Sequence, residues 1–187
     1  MKVIETFKNC VGEISLNENL NDLIKFSKKL KKEKGTSKSN VGGFHSKDLD
    51  LKEITLKSLI KNIEQHSNVF AKEILKINKD LKIGSMWMNI NYYKDSNKLH
   101  AHPFSIMSGA FYIKTPKNCG NLIFDVNNMS RCFVNPNSIV GYNSYNSSEW
   151  GFVPKPNVLY LFPSWYLHYV EPNMSKEERI SISFNLS

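Results

Sequence analysis

The spacing of hydrophobic positions changes near residue 83. Upstream, apolar residues recur at helical intervals. Leu20, Leu23, Ile24 and Leu30 lie near a 3.6-residue period, and Gly35 follows as a stop. Leu56, Leu59, Ile60, Ile63, Phe70, Ile74 and Ile77 form a clearer stripe, with Lys and Glu on the other side. A stripe of that kind predicts packing against a sheet. The first fifteen residues alternate weakly and predict an edge strand, whereas Ser37 to Asp50, with Gly42-Gly43, reads as a loop.

Downstream the period is two. Strand-like runs fall at 84–93, 106–114, 121–125, 138–142, 157–162, 167–171 and 178–185. Turn clusters separate them, among them Lys94-Asp95-Ser96-Asn97, Asn135-Pro136-Asn137 and Pro172-Asn173. Two helices followed by many short strands predict an α+β fold, with helices bracing one face of an antiparallel sandwich or barrel. The length suits one domain, 1–187, with a helical bracing region at 1–82 and a β core at 83–187.

Two strands are sharply two-faced. In 85–93 one face carries Met86, Met88, Ile90 and Tyr92; the other carries Trp87, Asn89, Asn91 and Tyr93. In 179–185 one face is Ile180, Ile182 and Phe184, and the other is Arg179, Ser181, Ser183 and Asn185. Such polar faces either meet water or line the inside of a small ligand-holding barrel.

Composition excludes some classes. Hydrophobic residues are 41% of the chain, which places it among folded rather than disordered proteins. No apolar run approaches the roughly 20 residues needed to span a membrane. Cys10, Cys119 and Cys132 are scattered and form no C-x-x-C, so they read as reduced thiols of a cytoplasmic protein. The net charge is +8, but much of the excess lies between Lys25 and Lys38 and reads as a solvated helix face. No ordered basic and aromatic motif accompanies it, so no specific nucleic-acid recognition is expected.

The candidate chemistry begins at His100-Ala101-His102. On a strand, residues i and i+2 share a face, so two imidazoles aim at one point. His168, from a later strand, supplies a third nitrogen and leaves coordination positions open. Arg179 and Ser181 share a face downstream. A guanidinium fork with a hydroxyl beside it suits a carboxylate.

In this order the residues resemble the Fe(II)- and 2-oxoglutarate-dependent oxygenases, whose fold is a double-stranded β-helix (jelly roll, cupin-like). The nearer resemblance is to small oxygenases of marine bacterial and phage type, prolyl-hydroxylase-like in the wider superfamily. It rests on Ser39 to Ser46, Trp87-Met88-Asn89, His100-Ala101-His102-Pro103, Ser108 to Ile113, Gly120 to Phe124, Leu161 to Trp165, and His168 through Arg179 to Asn185.

The resemblance implies Fe(II), 2-oxoglutarate and O₂, with decarboxylation to succinate and hydroxylation of a substrate. It implies His100 and His168 as metal ligands, with His102 where the superfamily places Asp or Glu. Arg179 would hold the distal carboxylate of 2-oxoglutarate, with Ser181 and Tyr112 beside it. Asn89 and Asn91 would face cosubstrate, and Trp87 and Trp165 substrate. Tyr93 and Trp150 are further aromatic candidates, the 126–156 stretch is a candidate lid, and a homodimer is allowed for. An all-histidine set also suits Zn²⁺, and Asp125 is the alternative carboxylate ligand. His45 and His66 read as structural. Two other classes stay open: a three-histidine enzyme of cupin type that does not use 2-oxoglutarate, and a non-catalytic binding module.

Overall fold

The computed structural model describes residues 1–5, 9–126 and 130–187. β1 (Gly12–Ser15) leads into α1 (Leu20–Leu30), whose first turn is capped by Asn19 accepting from the Asp22 amide. β2 (Asn40–Val41) and β3 (Phe44–His45) follow. A 3₁₀ turn at Ile54–Leu56 feeds α2 (Lys57–Glu73). Then come β4 (Ile83–Asn91), β5 (Ser96–His100), β6 (Met107–Lys114), β7 (Leu122–Asp125), β8 (Glu149–Phe152), β9 (Val158–Pro163), β10 (His168–Val170) and β11 (Arg179–Leu186).

Two antiparallel sheets face one another without closing into a barrel, in the manner of a double-stranded β-helix. The larger has the order β1-β9-β6-β11-β4-β3, the smaller β2-β5-β10-β7-β8. β1 lies at an edge, as the weak alternation predicts. The helices cover the outer face of the larger sheet. Leu23, Leu56, Leu59, Ile63 and Ala71 pack there with Met86, Met88, Ile90, Phe111, Ile182 and Phe184 in one buried cluster. A second cluster lies between the sheets, built on Tyr112, Leu122, Phe124, Tyr160 and Phe162.

Four elements differ from expectation. α2 stops before Ile74 because Lys76 turns left-handed (φ 57) and the Ile77 amide reaches back to the Ala71 carbonyl at 2.9 Å. That is a helix-ending bond of Schellman type, and it leaves Ile74 in solvent. The 37–50 loop contains two strands, β2 and β3, each held by pairing to a longer neighbour. The Lys94-to-Asn97 turn is shorter than predicted, because β5 already begins at Ser96. No strand forms at 138–142: a 3₁₀ turn ends at Ser138 and Val140 is fully exposed. β8 supplies the strand of that region instead.

Gly109 marks a close approach within the larger sheet, between β6 and its neighbours β11 and β9. A Cβ there would lie 2.4 Å from both the Phe184 ring and the Tyr160 carbonyl, whereas one at Gly84 would meet nothing within 4 Å. Gly109→Ala is expected to destabilise the fold by about 1–3 kcal/mol through overpacking. Gly84→Ala is expected to be neutral or stabilising by up to about 1 kcal/mol. Urea midpoints of the two variants measure the contrast.

Candidate metal centre and anion pocket

The polar strand faces turn inward, not to water. Arg179, Ser181 and Ser183 of β11 stand opposite Asn91, Asn89 and Trp87 of β4, pair by pair, along one wall of a cavity between the sheets. Arg179 is 1% exposed and Asn91 3%. From β6, Tyr112 sits beside Ser181. The smaller sheet contributes His100, His168 and Val170 to the facing wall.

Strand pairing sets His168 directly across from His100. A bulge lies beside this pair: on β10 the inward residues are two apart, His168 and Val170, while their partners on β5, His100 and Asn97, are three apart. His102 lies past the end of β5, so the H-x-H is not wholly on a strand. Its amide donates to the Ser164 carbonyl at 2.9 Å, and its ring joins those of His100 and His168. The three histidines' ligand nitrogens all lie within 4.8 Å of one another. His102 Nε2 and His168 Nε2 are 3.2 Å apart. A cation bound at about 2.1 Å by ligands at right angles would hold neighbouring nitrogens about 3 Å apart.

Two of the rings are locked from behind. Nδ1 of His100 donates to the Lys98 carbonyl at 2.7 Å, and Nδ1 of His168 to the Tyr166 carbonyl at 2.9 Å. A carbonyl only accepts, so Nδ1 carries the hydrogen and Nε2 presents its lone pair to the centre. Burial pushes His168 down to about 3 and His102 to about 4, each helped by the neighbouring His100, and it also lowers His100. At neutral pH the cluster is three neutral imidazoles, the form that binds a metal without displacing protons.

Asp125 is not among them. Phe124 pairs with His168 and faces inward, so Asp125, next in β7, points to the opposite side of the sheet. It joins no cluster of metal-ligating groups among the described residues.

Arg179 is the single charged side chain among the described residues that line the cavity. Its Nη1 donates to the Cys119 carbonyl and, at 3.2 Å, to the Glu171 carbonyl. Its Nη2 is buried with no partner. Gly120 takes a positive φ of 81, and a Cβ there would lie 2.5 Å from the Glu171 carbonyl, so the turn that brings these acceptors together requires glycine. A buried guanidinium lacking a counter-charge is costly, and a carboxylate against Nη2 would remove that cost. Burial raises Tyr112 to about 12, so its phenol stays protonated and able to donate.

Other candidates divide. Trp87 lines the cavity and packs on His102, their ring centroids 5.9 Å apart. Trp165 is 58% exposed, packs edge-on against Tyr166 and is not part of the cavity lining. Tyr93 and Trp150 are likewise exposed and outside it. The 126–156 stretch, of which 127–129 fall outside the described residues, contributes no described residue to the lining, and part of it is β8. Ser39 and Asn97 line the cavity without having been given a role in the sequence, whereas Ser183 lies on the face that alternation through Arg179 and Ser181 had marked. His45, read as structural, lies 7% exposed and stacks on Trp87.

A family model described as "Putative 2OG-Fe(II) oxygenase" matches residues 85–185, more than half of the chain. Among solved structures, a Pseudomonas putida prolyl-4-hydroxylase aligns at TM-score 0.65 and 11% identity, covering 95% of this chain and 92% of that one. A viral collagen prolyl hydroxylase from Paramecium Bursaria Chlorella virus-1, solved with 2-oxoglutarate, aligns at 0.64 and 10%, covering 94% of each. HygX from Streptomyces hygroscopicus, solved with nickel and 2-oxoglutarate, aligns at 0.64 and 8%, covering 96% and 83%. At such identities these likenesses establish the fold alone. No curated protein sequence matches the chain.

The depressed histidines make stability depend on pH. Their folded values lie below the unfolded value of about 6.5, so the unfolded chain takes up protons first as pH falls. Stability present above pH 6.5 is therefore lost on acidification toward 4. Each such histidine costs up to about 1.4 kcal/mol per pH unit in that window. The metal-free protein should show a urea midpoint that falls between pH 7 and 5, with a shallower slope in His168→Gln.

Proposed function

Because the chain belongs to the 2OG-Fe(II) oxygenase family, we propose that the inter-sheet cavity is its active centre and that it hydroxylates a substrate using 2-oxoglutarate and O₂. His100, His102 and His168 hold the metal in this reading. Their donor chemistry supports it: lone pairs converge at one point, the nitrogens are spaced for one ion, and the imidazoles are neutral. Iron bound there supplies O₂ activation coupled to decarboxylation of 2-oxoglutarate to succinate.

The remaining work falls to the protein. Arg179 grips the distal carboxylate through Nη2, with Ser181 and the Tyr112 phenol as further donors. Asn89 and Asn91 form the wall that the cosubstrate lies against. Trp87 narrows the space beside His102, and Trp165 offers exposed aromatic surface to the substrate. With no carboxylate among the ligands, a bound divalent ion keeps one more unit of positive charge, which favours a dianionic cosubstrate. The observation that carries the reading is the unpaired buried Nη2 of Arg179, in the same cavity as the histidines.

Succinate formation from 2-oxoglutarate by the Fe(II)-loaded chain is the direct test. A metal-loaded protein that neither binds 2-oxoglutarate nor yields succinate would end this proposal. Arg179→Ala is expected to weaken 2-oxoglutarate binding by about 100-fold, roughly 2.7 kcal/mol, measured anaerobically by titration. Unchanged affinity in that variant would favour a cosubstrate-independent enzyme on the same fold.

A further inference from the structure

The three histidines are not held alike. His100 and His168 are each locked by an Nδ1 hydrogen bond to a backbone carbonyl. His102 has no such bond among the described residues; its only side-chain polar contact runs from Nε2 to His168. Rotation about the terminal torsion of a histidine is soft and roughly two-fold, so a ring without an anchor swings its nitrogen off the metal. What His102 has instead is packing. Trp87 lies 5.9 Å away between centroids, tilted by 40°. Trp87 in turn is stacked by His45 at 5.5 Å and 12°. Both separations fall within the range of attractive ring pairs.

His45 is itself firmly fixed. Its carbonyl accepts from the Thr36 amide at 2.8 Å, and its Nδ1 lies 2.8 Å from the Ser46 carbonyl and 3.1 Å from Thr36 Oγ1. The next residue is clipped to β4 in both directions, the Ser46 amide to the Met88 carbonyl at 3.0 Å and the Met88 amide to Ser46 Oγ at 2.9 Å. Pairing of β3 with β4 sets His45 beside Asn89, on the face that carries Trp87. The ring of His45 is therefore a rigid plate against Trp87.

We infer that His45 is a positioning residue for the metal centre, holding His102 in its ligating orientation through the ring stack His45–Trp87–His102. The inference rests on the three-histidine reading of the site. It assigns His45 no contact with metal, cosubstrate or substrate. Its action is to deny Trp87, and through it His102, the room to turn.

Cobalt(II) alone is the probe, because its visible absorption bands report how many protein nitrogens it binds. The wild-type chain, His45→Ala, His45→Phe and His102→Ala are titrated in parallel. His45→Ala is expected to lose about tenfold in cobalt affinity, and its bands should shift toward those of His102→Ala. His45→Phe, which keeps a flat ring but no Nδ1, is expected to restore both. Should His45→Ala not fold, Trp87→Leu removes the middle ring from an intact β4 and carries the same expectation. Wild-type affinity and bands in His45→Ala, or in Trp87→Leu, would overturn the brace while leaving the metal site standing. A His45→Phe variant as impaired as His45→Ala would also overturn it, because the hydrogen bond and not the stack would then be the cause. A wild-type chain that binds no cobalt would sink the metal site and the brace with it.

Discussion

Period-two alternation in β11, clamped between β4 and β6, is the constraint on which everything else depends. One side of this strand is Ile180, Ile182, Phe184 and Leu186, and it fixes the larger sheet against the helices. The other side is Arg179, Ser181 and Ser183, and it must face whatever lies opposite. Burying the first side commits the second. The hydrophobic effect thus aims the guanidinium into the cavity, although it gains nothing from that residue itself.

The two sheets divide the chemistry. The larger sheet, stiffened by its helical layer, carries the buried guanidinium of Arg179 and its polar neighbours. The smaller sheet and the loop after β5 carry the imidazoles. A ligand that joins the Arg179 end to the histidine end would bridge the two sheets and bind them to each other. The polar wall interrupts apolar contact between the sheets, and the cluster around Phe124, Tyr160 and Phe162 supplies the cohesion missing there.

Most of the framework was legible because it is written in local periodicity. Met86 to Tyr92 and Ile180 to Phe184 announce their strands and faces, and the histidines and Arg179 follow from those faces. What could not be read depends on partners distant in sequence. Ile139 and Val140 have the side chains of a strand, yet among the described residues no strand pairs with them. β2 and β3 are two residues each and exist only because β5 and β4 accept them. Asn97 looked like part of a turn and proves to line the cavity. Trp165 and Trp87 have the same chemistry on paper, and only the folded chain separates the exposed ring from the one beside His102. His45 read as structural and no more, because ring-on-ring contact with Trp87 leaves no spacing signal.

The bulge beside His168 has a consequence for how this chain can change over time. In a regular ladder, residues an odd number apart face opposite ways, so Asn97 and His100 could not both look inward. The one surplus residue in β5 is what lets them. The exposed side chains of Lys98 and Leu99 are therefore free to change, but β5 cannot lose a single position there. Such a deletion would leave the strand paired and buried much as before, while His100 rotated out to solvent. The fold would persist with its histidine cluster broken up.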